Sequence, residues 1–181
     1  SYAKALKNAG YSVSALDINE ESIQYALENK IIDKGDISEK RLIQEADFIF
    51  ICLYPTLLKS WIEENQQYFK SGITISDVCG VKGKIVDATQ EILRKDVEFI
   101  ASHPMAGKEV SGVKYADPTI FEKANFIITP TDKNTLERIE MMKELAKILG
   151  FTNISVLSVQ KHDEMIGFVS QLTHVIAVTL M

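Results

Sequence analysis

Three histidines, His103, His162 and His174, are the side chains of this chain that ordinarily change charge near neutral pH. His103 ends the apolar run that begins at Val97, and Pro104 follows at once. Proline restricts the residue before it, so the backbone of His103 is held extended before any side chain packs. The run reads as a buried strand of a parallel sheet that stops at the proline. Open α/β sheets bind ligands outside the carboxyl ends of their strands, where a held histidine suits proton transfer. A histidine that merely hydrogen-bonds a loop fits the same residues. His162, Ile166, Ser170 and His174 recur every fourth position of a C-terminal helical pattern and form one drifting stripe. The two helical histidines lie about 18 Å apart along a helix axis, too far to share a metal ion. A plain core helix with two satisfied histidines is the competing reading.

A second chemical group is Asp17. Tyr11 to Asp17 reads as a strand ending in an acid, preceded by a helix over Ser1 to Ala9 and a stop at Gly10. This is the second half of a dinucleotide-binding βαβ unit, in which the glycine-rich turn lies ~20 residues before the acid. Counting back places that strand and turn ahead of Ser1. A carboxylate at this strand end accepts hydrogen bonds from the adenosine ribose and repels the extra phosphate of NADP, which favours NAD. Asn19 or Asp17 can cap the helix that follows, Glu20 to Asn29, and for Asp17 this role can stand beside the ribose role.

The elements that must position these groups alternate. Helices are expected over 38–46, 57–68 and 84–94, and strands over 47–53, 72–77 and 97–103. Asp47 to Leu53 is apolar throughout and predicts a strand buried on both faces, broken by Tyr54-Pro55-Thr56. Strands alternating with helices of this length imply a doubly wound parallel sheet. Beyond Val110 the rhythm changes to a loop, a strand over 125–130, a helix over 134–149 stopped by Gly150, and a strand over 152–156. The last helix, capped by Ser158, is apolar nearly all round and predicts burial in a second, helical domain. The expected division is a Rossmann-like α/β domain over 1–157 and the start of a helical domain over 158–181.

Composition narrows the function. The 181 residues carry a net charge of −5, and without a basic cluster nucleic-acid binding is disfavoured. No run approaches a membrane span and no signal peptide opens the chain, so a cytoplasmic protein is expected. Cys52 and Cys79 lie in or just after apolar runs and read as reduced core or site thiols. The small-residue loop Val78-Cys79-Gly80-Val81-Lys82-Gly83 allows close approach of a cofactor ring, with Lys82 either pairing an anion or solvated.

Three separated segments resemble the prephenate dehydrogenase family: Asp77-Val78-Cys79-Gly80-Val81-Lys82-Gly83; His103-Pro104-Met105-Ala106-Gly107-Lys108-Glu109 with Ser111-Gly112; and His162-Asp163 followed by Ser170-Gln171-Leu172-Thr173-His174. The resemblance implies an NAD-dependent oxidative decarboxylation of prephenate to 4-hydroxyphenylpyruvate in tyrosine biosynthesis. It also implies a homodimer formed through an all-helical C-terminal domain. His103 would be the catalytic histidine. His174, Glu109, Ser170 and Gly80 would line the substrate, and Asp17, Leu53, Tyr54, Pro55, Asp77 and Cys79 the cofactor. Many family members carry serine where Gly80 stands, so water or Cys79 would replace its hydroxyl. The family's substrate arginine would lie beyond Met181, so the chain by itself is expected to be inactive. Arogenate dehydrogenase, another Rossmann dehydrogenase acting on a hydroxy acid, and a catalytically silent nucleotide-binding module are the alternatives.

Overall fold

The computed structural model describes residues 1–108 and 110–171. Helix α1 (Tyr2–Asn8) ends at Gly10, whose φ of 87° suits glycine, and β1 (Ser14–Leu16) follows. Helix α2 (Glu20–Glu28) is capped by Asn19, whose side chain accepts from the Ser22 amide. Next come β2 (Lys34–Asp36), α3 (Lys40–Glu45) and β3 (Phe48–Ile51). Helix α4 (Pro55–Asn65) starts on the proline itself, because a first-turn residue needs no N–H. Then follow β4 (Thr74–Asp77), α5 (Gly83–Ile92), β5 (Glu98–Phe99) and β6 (Ala101–Met105). The chain continues through two 3-10 turns to β7 (Asn125–Thr129), α6 (Leu136–Leu149), β8 (Asn153–Val156) and α7 (Val159–Ile166). The backbone of α7 passes into a wider π turn over Gly167–Gln171.

The expected α/β class is observed. Strands β1 and β2 pair in parallel, as do β3, β4 and β5 in that order. One face of β3–β4 packs Ile51 and Ile75 on Leu58 and Ile62 of α4 and Val86 of α5. The other face packs Phe48 and Phe50 with Tyr2 of α1 and with Met142 and Ala146 of α6. Helices therefore cover both faces, as a doubly wound sheet requires. Each buried Ile or Leu of this core contributes roughly 1.5–3 kcal/mol of transfer free energy. Among the described residues, no helix is long and apolar enough to cross a membrane.

Three expectations are corrected. The run into His103 is two strands, not one: β5 pairs with β4, while β6 pairs antiparallel with β7. The chain changes sheets at Ile100, and Pro104 lies inside β6 opposite Phe126. Proline is tolerated because β6 is the edge of the β6-β7-β8 sheet, where a missing N–H breaks no ladder. Strand β3 is not buried on both faces: Phe48, Ile49 and Phe50 are half-exposed, and β3 pairs only with β4 among the described residues. Strand β2, with the sequence Lys-Gly-Asp, has no apolar pattern and was not expected. Its Gly35 is required by close packing, since a Cβ there would lie 2.8 Å from side-chain carbons of both Ile23 and Ile32.

Candidate active site

The site is built on the carboxyl end of β4. Asp77 ends this strand and is completely buried. Its carboxylate accepts from the Lys82 ammonium at 2.7 Å, the Cys79 amide at 3.0 Å and the Ser102 amide at 3.1 Å. Lys82, also without exposed surface, donates a second bond to the Ser102 carbonyl. The ion pair thus fastens the loop after β4 to the first residues of β6. Of the two expectations for Lys82, solvation fails and pairing with an anion is observed, the anion being a carboxylate of the chain itself. Burial pushes the Lys82 ammonium below its usual range, and Asp77 opposes that shift. Beside it, Ser76 Oγ lies 3.0 Å from Ser102 Oγ and donates to the Ile100 carbonyl at 2.6 Å.

This clasp sets His103 in β6 beyond the end of β4, so the residue still lies at the carboxyl edge of the parallel sheet. The ring is half-buried, and its Nδ1 lies 2.9 Å from Nε2 of His162 in α7. Its Nε2 points toward Gly80: a Cβ built there would stand 3.5 Å away. Gly80 itself is exposed, which leaves that side of the ring approachable. Burial, reinforced by His162 and the Lys82 cation, lowers the His103 pKa to about 4, with Asp77 and Asp163 opposing. His103 is therefore neutral at physiological pH, as a proton acceptor must be.

His162 has no exposed surface, and its Nδ1 lies 2.7 Å from Asp163 Oδ1. The two Asp163 oxygens also accept the Lys82 and Gly83 amides, at 3.1 and 2.8 Å. These amides open α5, so a carboxylate from α7 caps a helix that lacks a side-chain cap of its own. Burial disfavours the charged form of Asp163, but bonds from Gly83, His162 and Lys82 outweigh it and hold the carboxyl below the usual range. The part played by His162 was missed in the sequence, although its adjacency to Asp163 was a signal.

The remaining expected residues divide. Asp17 is exposed at the end of β1, and among the described residues its Oδ1 accepts only the Asn19 amide, a local turn bond. Tyr54 is 80% exposed and Pro55 is exposed at the end of β3, while Leu53 is half-buried. Cys79 is buried; its thiol lies 3.7 Å from the Leu53 carbonyl, and burial, with Asp77 adding, raises its pKa to about 12. Cys52, one residue past β3, is a free thiol as expected and is exposed, so it is not a core residue. Glu109 and His174 lie outside the described residues, and for Ser170 only the backbone, within the π turn, is described.

The chain was compared with known proteins. The family model described as prephenate dehydrogenase, nucleotide-binding domain, matches residues 2–154. The prephenate dehydrogenase of Bacillus subtilis is 30% identical over the whole chain and 49% of its own length. The crystal structure of prephenate dehydrogenase from Aquifex aeolicus superposes with a TM-score of 0.90 at 32% identity, covering 99% of this chain and 65% of that one. A structure of the Aquifex aeolicus enzyme in complex with hydroxyphenyl propionate and NAD+ gives a TM-score of 0.89 at 31% identity, covering 99% and 63%. The chain spans about half the length of the curated relatives it matches. The observed α/β fold agrees with these matches, and the chain belongs to the prephenate dehydrogenase family through its nucleotide-binding domain.

Proposed function

We propose that this chain is the nucleotide-binding part of an NAD-dependent dehydrogenase that converts prephenate to 4-hydroxyphenylpyruvate and carbon dioxide in tyrosine biosynthesis. The observation that carries this reading is His103: neutral, held through Nδ1, with Nε2 turned to the exposed Gly80. Family membership supports the substrate, and the relative solved with NAD+ supports the cofactor.

The residues present fit NAD. The Asp17 carboxylate is exposed with one oxygen uncommitted among the described residues, and Ile18 beside it is 97% exposed. Asp17 would hold the ribose hydroxyls, with Leu53, Tyr54, Pro55 and the Cys79–Gly80 loop along the strand ends. Asp77 acts there through Lys82 and the loop it fastens.

When bound, NAD supplies the acceptor for the hydride that leaves the hydroxyl-bearing carbon. His103 Nε2 takes the proton of the ring hydroxyl as that hydride departs. The ring carboxylate then leaves as carbon dioxide, its bonding electrons make the ring aromatic, and the proton returns to the phenolic oxygen. Glu109, Ser170 and His174 complete the substrate pocket in this reading. Residues 1–157 form the nucleotide domain and 158–181 begin a helical domain through which two copies pair. The exposed Met165 and Phe168 of that segment are its first contribution to such an interface.

The test is NADH formation by the full-length protein with prephenate and, separately, with arogenate. Turnover of prephenate is expected. Turnover of arogenate alone reassigns the substrate within the family, and turnover of neither defeats the proposal.

A further inference from the structure

His162 and Asp163 have no part in the function proposed above, yet they hold the ring that performs it. Nδ1 of His162 meets Asp163 Oδ1 at 2.7 Å, and Nε2 of His162 meets His103 Nδ1 at 2.9 Å. The two rings are inclined at 69°, so they meet through their nitrogens and not by stacking. An ionised carboxylate only accepts, so the proton in the first bond belongs to His162 Nδ1. With one proton on each imidazole, Nε2 of His162 is then a bare acceptor. His103 must donate from Nδ1, which leaves its Nε2 lone pair free on the side of Gly80. The opposite arrangement would put the His103 proton on Nε2 and block it as a base.

We propose that Asp163 and His162 are positioning residues that fix the tautomer of His103, with Asp163 anchored for this task by the first two amides of α5. The proposal deepens the function proposed above and rests on it. Asp163 is tied by the Lys82 and Gly83 amides, so its carboxylate cannot rotate away from His162 without uncapping α5. When His103 takes a proton at Nε2, its ring becomes cationic beside Lys82. The bond to His162, backed by the Asp163 carboxylate, offsets that repulsion. The groups facing His103 are His162, Lys82, Asp77 and Asp163, and the carboxylate of Asp77 is already engaged by Lys82.

The experiment is long-range proton–nitrogen NMR of the full-length protein with 15N-labelled histidine at pH 7.5, together with steady-state kinetics. His103 is expected as the Nδ1–H tautomer. In Asp163→Asn the side-chain nitrogen must displace the bond from either the Lys82 or the Gly83 amide; placed at the Oδ1 position it donates to His162 Nδ1, which reverses every donor in the chain and gives the Nε2–H tautomer of His103. Turnover should then fall roughly 10²–10⁴-fold, the range of a general base, with KM for NAD little changed. His162→Gln keeps a carbonyl acceptor for His103 and should lose less turnover than Asp163→Asn. An Nε2–H tautomer in the native protein overturns the proposal, as does native turnover in an Asp163→Asn protein whose His103 is the Nε2–H tautomer; turnover is expected to follow the tautomer. If Asp163→Asn does not fold, the native tautomer decides. If the native protein turns over neither prephenate nor arogenate, the assigned function fails while the tautomer measurement still tests the relay.

Discussion

The Lys82 ammonium lies 2.7 Å from the Asp77 carboxylate, with neither side chain exposed, at the point where the loop after β4 meets β6. A buried ion pair of this kind is weak evidence of net stability, because desolvation offsets the attraction. Its geometric effect is definite. It joins Asp77, Cys79 and Ser102 through one carboxylate and so sets the separation of Gly80 from His103.

Removing one partner leaves a buried charge alone. Lys82→Met should destabilise the protein by about 3–5 kcal/mol. The double variant Lys82→Met with Asp77→Leu should be less damaging than the two single changes added together. Urea unfolding of the four proteins of this cycle measures the coupling.

The depressed pKa of His103, about 4, makes a signed pH prediction. The folded value lies below the unfolded value of about 6.5, so the unfolded chain binds the proton first as pH falls. The contribution of His103 to stability is complete above pH ~6.5 and is lost as pH falls from there through 4. His103→Asn should remove that part of the acid destabilisation, measured by denaturant titration at pH 7 and pH 4.5. Turnover should keep its neutral-pH value well below pH 6 and fall toward pH 4. In His103→Asn most turnover should be absent, with NAD affinity nearly unchanged.

Asp17 is exposed, with its backbone amide bonded to the Asp36 carbonyl across the β1–β2 pair. Asp17→Ala should therefore leave the fold within about 0.5 kcal/mol, as a surface substitution. It should weaken NAD binding and relax discrimination against NADP, measured as the ratio of kcat/KM for the two cofactors. An unchanged ratio would refute the ribose role of Asp17.

Two glycines should respond in opposite ways. A Cβ at Gly80 meets His103 at ordinary contact distance, 3.5 Å, so Gly80→Ser should fold normally and bring a hydroxyl to His103 Nε2. A Cβ at Gly35 would be 2.8 Å from Ile23 and Ile32, so Gly35→Ala should cost about 1–3 kcal/mol as overpacking. Thermal midpoints of the two variants separate these outcomes.

Local chemistry made much of this chain legible. The alternation of apolar runs with capped helices predicted the α/β class. Asn19 and Ser158 cap α2 and α7, and Gly150 ends α6, all as their residue types suggest. His103 and Asp17 stand out from their neighbours alone, because a proline or an acid at a strand end is a local signal. Contacts between distant residues decided the rest. Lys82 and Ser102 are twenty residues apart, and His103 and His162 fifty-nine, so no spacing rule joins them. The change of sheet at Ile100 depends on β7 arriving antiparallel beside β6, which the apolar run cannot encode. Strand β2 exists because β1 offers its edge and Ile23 and Ile32 close over Gly35, not because Lys-Gly-Asp favours a strand. The sequence by itself determined which residues can do chemistry and the class of fold that carries them. Tertiary structure decided which nitrogen of His103 is free, because that depends on a carboxylate and a second imidazole brought in from α7.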